Sequence, residues 1–243
     1  MDIIVARFAK DVSWTNQFKN SRIFVYDKSS DKNDYIKLPN IGRESHTFLY
    51  HIIKNYDDMS DYLCFLQDNP FDHIRNDIKS NGLQFFIESF DKTMEFKSIP
   101  KHIWAYQANW ENIDEYKHID YLDDSNMFDF YPLGVYFNCD LNGNPCNPEW
   151  YLKTTIFDMF FIDCPVQNKV FFTPGGQFIV SKSAIHVRKK IFYEKILEEF
   201  NRIDEEMYFK LHPVYTGHQK MAWVLEAVWA YLFNKHFKSK YDN

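Results

Sequence analysis

Several features are scarce in this sequence, and each scarcity excludes something. There is no block of Lys or Arg, and the formal charge is −6. A nucleic-acid partner is therefore disfavoured, since such binding rests on neutralising phosphates. An anionic ligand would need local cations, a metal or helix N-termini. No apolar stretch approaches the length of a membrane span. The N-terminus, MDIIVARFAKD, has no basic start and only a short apolar run, so a signal peptide is not expected. With 7 Gly and 9 Pro, the 243 residues do not read as disordered or low-complexity chain. The four cysteines, Cys64, Cys139, Cys146 and Cys164, include no CxxC. Cys139 and Cys146 flank an Asn-Gly turn and are spaced to pair, but a reducing, cytoplasmic compartment is the simpler expectation.

What is present is aromatic. Phe, Tyr and Trp make up 19% of the chain, a share that both sugar-binding sites and thick cores use, so it does not choose between them. The stretch that organises the rest is YLCFLQDNPFDH, Tyr62 to His73. Its apolar run, Tyr62 to Leu66, suits a strand buried on both faces. It then turns polar at Gln67, Asp68 and Asn69, and Pro70 restricts Asn69 to extended backbone. That puts a polar trio at the carboxyl end of a buried strand, the edge where open α/β sheets bind ligands. A strand that simply ends in a polar turn is the bland alternative.

The remaining elements follow in order. Ile3 to Ala6 form a first strand ending at Arg7. Ser13 is placed to cap a short helix through Phe18. Ile23 to Tyr26 form a second strand, which ends in the polar loop Asp27, Lys28, Ser29, Ser30, Asp31. LPNIG leads into a helix from about Glu44 to Tyr56, with Phe48, Leu49, Ile52, Ile53 and Tyr56 on one face and Arg43 and Glu44 at its start. The alternation of strands and helices implies parallel pairing with right-handed crossovers. Another helix is expected over Asp72 to Ser80. Residues 96–169 are irregular and aromatic-rich. VFFTPGGQFIV reads as two strand pieces about Gly175 and Gly176, where missing side chains allow a backbone or ligand to approach closely. Ser181 is expected to cap a helix running to about Ile203. A last helix spans about His218 to Phe237, with Glu226 on an apolar flank, where a carboxylate is paired, raised in pKa or at the edge of the stripe. No repeat or linker is visible, so residues 1–243 are expected to form one domain.

Four phrases, FVYDKSSD, LPNIGRESHTFLYHI, YLCFLQDNPFDH and GGQFIVSKSAI, resemble in their order the landmarks of GT-A glycosyltransferases. A closer likeness is to an uncharacterised domain family with a GRE-x-H-T helix, an FLQ-x-NPFDH strand end and a C-terminal Glu-x-x-Trp helix. The resemblance implies an α/β fold, a GT-A-like (Rossmann-like) α/β/α sandwich on a mostly parallel mixed sheet. It also implies site roles. Asp27 resembles the carboxylate that reads the nucleotide base, and Ala6, Arg7 and Phe8 would line the same pocket, with Lys28 and Arg43 as donor contacts. Gln67, Asp68 and Asn69 stand where a metal-binding Asp-x-Asp would be. Gly175, Gly176 and Gln177 fall on the acceptor side, next to the irregular region 96–169.

The expected activity is transfer of a sugar from a nucleotide-sugar donor to a hydroxyl acceptor such as a glycan. An acceptor hydroxyl must lose its proton to a base, for which Glu226, Glu205 and Asp68 are the candidates in that order. The leaving diphosphate must be met by a divalent cation, Mn²⁺ or Mg²⁺, or by Arg7, Lys10, Lys28 and Arg43. Asp68 is the only carboxylate in the trio, a thin ligand set for a hard cation unless Asp72, His73, His212 or His218 completes it. Two other classes stand beside this reading: a nucleotide-sugar- or carbohydrate-binding protein without catalysis, and a nucleotidyltransferase. The second generally wants a firmer metal site and a Gly-rich basic loop, absent between Phe8 and Lys28.

Overall fold

Strand alternation explains the layering. In β1 (Asp2–Arg7), Ile3 and Val5 face one side of the sheet and Ile4 the other; in β4 (Tyr62–Gln67), Cys64 and Leu66 face the first side and Phe65 and Leu63 the second. All of these are fully buried, so both faces of the central strands must be covered. The structure, a computed structural model, describes residues 1–74, 76–99, 105–108, 118–119, 160–161, 176–207, 217–235 and 237–242.

The other strands are β2 (Arg22–Asp27), β3 (Ile36–Lys37), β5 (Phe96–Ser98), β6 (Ala105–Ala108), β7 (His118–Ile119) and β8 (Phe178–Ser181). They join in the order β3-β2-β1-β4-β8-β5-β6-β7. The first four pair in parallel, with Ala6 beside Tyr26 and Gln67; β8 is antiparallel to β4 and β5, and β6 to β5 and β7. The sheet is therefore mixed, with β8 and β6 reversed among the described strands. The carboxyl ends of β1, β2 and β4 come together on one edge.

Helix α1 (Arg43–Lys54) crosses between β2 and β4, as the apolar spacing requires, and packs on α5 (Lys190–Met207) and α6 (Gly217–Leu232). Their shared core holds Phe48, Phe65, Phe178 and Trp229, with Phe48 and Phe65 ring centroids 5.0 Å apart. The opposite face is covered by Val12, Phe18 and the short helices α2 (Asn76–Asn81) and α3 (Leu83–Glu88).

Three expectations change. The segment Ser13–Gln17 is a single 3₁₀ turn capped at Val12, because Ser13 Oγ donates to Asp11 instead. Asp72 to Ser80 is not one helix: Pro70–His73 form a 3₁₀ turn and α2 starts only at Asn76. Ser181 does cap a helix, accepting from Ala184 N at 3.1 Å, but that helix, α4 (Lys182–His186), stops before α5 begins. Arg188, 1% exposed, sits in the gap and donates to Leu232 O and Asn234 O and to Asp242, which fixes the break. The Asn142-Gly143 turn, the strand piece before Gly175, and Cys139, Cys146 and Cys164 lie outside the described residues; Cys64 is buried in β4.

One core histidine makes the fold acid-sensitive. His51 of α1 is fully buried, with Nδ1 2.9 Å from the Tyr26 hydroxyl. Burial lowers its pKa from 6.5 to about 4. Between those values the unfolded chain takes up a proton that the folded one refuses, so stability is lost as pH falls from 6.5 towards 4. The loss should reach about 2 kcal/mol by pH 5. Urea unfolding at pH 7 and pH 5 checks this: the wild type should show the drop, and His51→Gln should show much less of it.

Candidate functional site

The carboxyl ends of β1, β2 and β4 and the start of α1 enclose a cavity of about 300 Å³. Ala6, Arg7 and Phe8 line it from β1, Lys28 from the end of β2, and Gln67 and Asp68 from the end of β4. Asn40, Arg43 and Glu44 close it from the loop and first turn of α1. Phe8 is 55% exposed, an uncovered aromatic ring at the rim.

Arg7 and Asp27 form the wall behind it. Asp27 has no exposed surface. Its carboxylate meets Arg7 Nη1 at 2.9 Å and Lys37 Nζ at 2.5 Å, and accepts from Asn33 Nδ2 at 2.7 Å and Ser29 N at 3.0 Å. Burial pushes its pKa up, but the hydrogen bonds from Lys37, Asn33 and Ser29 outweigh that and hold it well below the usual carboxylate range. Asp27 does not line the cavity. Its oxygens are occupied within the chain, where they hold Arg7 and the loop after β2. Arg7 also donates to Asp31, Ser29 and the Lys10 carbonyl, so it is a fixed wall rather than a swinging arm.

Two side chains of the polar trio, Asp68 and Asn69, are likewise spent on structure. Asp68 Oδ2 accepts from Phe8 N at 2.7 Å and Lys10 N at 3.3 Å, and Oδ1 from Asn69 N at 2.9 Å. Two amides converging on one oxygen form an anion nest whose occupant is part of the chain. Between them Ala9 takes a left-handed φ of 65°, unusual for a residue with a side chain. Trp14 Nε1 donates to the Asp68 carbonyl, closing the same junction. Asn69 does not line the cavity; its amide donates to Asp72 Oδ2 at 2.6 Å. Gln67 does line it, and its backbone N–H donates to Gln177 Oε1 at 3.1 Å. Gln177, 3% exposed, also donates to Pro70 O, so it ties β8 to the turn after β4 instead of facing an acceptor.

Asp68 does not fit the role of a metal ligand. Three backbone N–H groups already occupy its carboxylate, and no group of three His, Cys, Asp or Glu able to hold a cation occurs among the described residues. Asp72 is tied to Asn69, and His212 lies outside the described residues.

The start of α1 is built differently. Gly42 and Arg43 are both left-handed, with φ of 59° and 49°, so the chain turns sharply into the helix. Buried Lys28 reaches under this turn and donates to the carbonyls of Ile41, at 2.5 Å, and Arg43. Arg43 is about half exposed, and Glu44 is nearly buried with Oε2 3.7 Å from Arg43 Nε. Gly176, left-handed at φ 61°, brings a third segment in: a Cβ there would stand 3.5 Å from both Glu44 Oε1 and Glu226 Cγ. Glu226 of α6 thus sits beside Glu44 across a bare glycine, although it does not line the cavity. Gly175 lies outside the described residues, as does the side chain of Glu205. The sequence reading passed over Asn40 and Glu44. Both lie in the phrase LPNIGRE, whose Asn-x-Gly start was the available signal.

Removing Asp27 should test the wall. Asp27→Ala leaves Arg7 without its buried counter-charge and should cost about 3 to 5 kcal/mol. Chemical denaturation of the purified variant reads this directly. A loss under about 1 kcal/mol would mean that the network does not hold the strand ends.

A family model described as a protein of unknown function (DUF3431) matches residues 3–120, which span β1 to β7 and thus every strand and helix start that lines the cavity. No curated protein and no solved structure is matched by the chain. Through residues 3–120, just under half of its length, the chain is similar to the DUF3431 family.

Proposed function

We propose that this chain is a glycosyltransferase that takes a nucleotide-sugar donor into the cavity at the strand ends. The observation that carries the reading is the cavity's lining. Arg7, Lys28 and Arg43 line it, the exposed ring of Phe8 lines it too, and the Glu44 carboxylate stands beside Arg43. A nucleoside diphosphate sugar has the matching parts. Its diphosphate suits the cations and the amide end of α1. Its base suits a flat aromatic such as Phe8. Its sugar suits a small number of placed polar groups.

In this reading Arg43 does the electrostatic work on the leaving diphosphate, because Arg7 is already bound to Asp27 and Asp31. A preorganised cation at the developing charge lowers the barrier more than the same cation in water. No step is routed through a metal, since Asp68 is committed to backbone amides. The acceptor proton goes to Glu226, which faces the Gly176 gap from α6; Asp68 is the weaker choice for the same reason that it is a poor ligand. A protein that binds the donor without turning it over is the second reading, favoured by that commitment of Asp68.

The test is calorimetry of the purified chain against UDP, GDP and their glucose and mannose conjugates, followed by a turnover assay. At a hundredfold excess over the dissociation constant, a ligand specific to the native state should stabilise it by about 2.7 kcal/mol. Arg43→Ala should weaken every nucleotide by roughly tenfold or more, with its melting temperature little changed. Binding without sugar release or transfer to any acceptor favours the second reading. No heat and no thermal shift with any nucleotide sinks both.

A further inference from the structure

Glu44 stands apart from the other carboxylates at this edge. Asp27 and Asp68 are filled by donors from their own chain, whereas Glu44 accepts no hydrogen bond among the described residues. It is nonetheless only 9% exposed and lines the cavity. Its Oε1 lies beside Gly176, where a Cβ would stand 3.5 Å from it and from Glu226 Cγ. Its carboxylate therefore meets the cavity with acceptor positions that no donor among the described residues fills, open to a donor that arrives there.

The chemistry of that donor can be narrowed. An ammonium group would gain from Glu226 across Gly176 but would also meet Arg43, whose guanidinium is 3.7 Å from Glu44, and Lys28 on the same cavity wall. Neutral hydroxyls carry no such penalty, and a carboxylate accepts two of them at once. Position narrows it again. Arg43 and Glu44 are neighbours in sequence and both line the cavity, so a phosphate-binding group and a hydroxyl-binding group are held side by side. In a nucleotide sugar, the diphosphate and the sugar are joined in that same order.

We propose that Glu44 binds hydroxyls of the sugar carried by the nucleotide and so selects the donor. This rests on the nucleotide-sugar reading of the cavity. A purely structural Glu44 would serve only as an acid in the first turn of α1, favourable to the helix dipole. The two roles separate in one experiment. Calorimetry compares UDP with UDP-glucose and GDP with GDP-mannose on the full chain, as wild type, Glu44→Ala and Glu44→Gln. In the wild type the preferred sugar should tighten binding over its nucleoside diphosphate. Glu44→Ala should abolish that gain, a loss of roughly tenfold or more, while changing the affinity for the bare diphosphate by no more than about twofold. Glu44→Gln, which keeps one acceptor oxygen, should retain part of the gain. If the sugar adds nothing in the wild type, or if Glu44→Ala weakens diphosphate and conjugate equally, the proposal is wrong though the nucleotide site stands. If the wild type binds no nucleotide at all, it is the parent reading that has failed.

Discussion

A carboxylate with no exposed surface organises the cavity-bearing edge of this sheet. Asp27 ends β2, and burying its charge is tolerable only because Arg7 from β1 and Lys37 from β3 bring the opposite charge to it. Three neighbouring strands are thereby fixed at their ends by one ion cluster. The consequences run outward. Arg7, held on several sides, defines where Phe8 leaves the strand, and Asp68 of β4 then takes the Phe8 and Lys10 amides. The cavity wall is shaped by these internal charges before any ligand is present. A site built this way does not have to reorganise when charge arrives, which is the condition under which fixed cations and dipoles are worth most.

The same logic divides the polar residues of the edge into two groups. Asp27, Asp68, Asn69 and Gln177 spend their side chains on the fold. Arg43 and Glu44 do not, and both lie on the first turn of α1. The division explains why the strand-end trio Gln67, Asp68, Asn69 departs from two carboxylates. An amide at Asn69 can donate to Asp72, as a carboxylate cannot, and the single acid that remains is the one that backbone amides require. The trio reads as a joint between β1, β4 and β8.

Much of the frame was legible in the sequence. The runs around Ile4 and Phe65 are apolar without interruption because both sides of their strands are covered, and the stripe Phe48, Leu49, Ile52 is helical because it faces one core. The edge where those strands end was legible for the same reason. What the sequence hid depends on partners far along the chain. An Asp followed by Ser at a strand end looks alike whether it waits for a ligand or is filled by Lys37. The split between α4 and α5 follows from Arg188 reaching carbonyls near residue 232, which no local periodicity contains. Glu44 was overlooked because an acid in a first helical turn already has a sufficient local explanation.

That local explanation leaves one feature of the turn without a cause. Arg43 holds a left-handed backbone, which costs a residue with a side chain on the order of 1 to 2 kcal/mol. A glycine-led helix start could be made without that strain by placing the first side chain one position later. Here the strained turn is braced from below: Lys28 is buried beneath it and bonded to the carbonyls on either side of Gly42. Strain that is over-determined by its surroundings persists where it positions something. What it positions is the pair Arg43 and Glu44, turned together onto the cavity by a backbone that an ordinary helix start would not adopt. The brace gives Lys28, a cation on the cavity wall, a task within the fold: it keeps the residue beside Glu44 in a conformation that the chain by itself would relax.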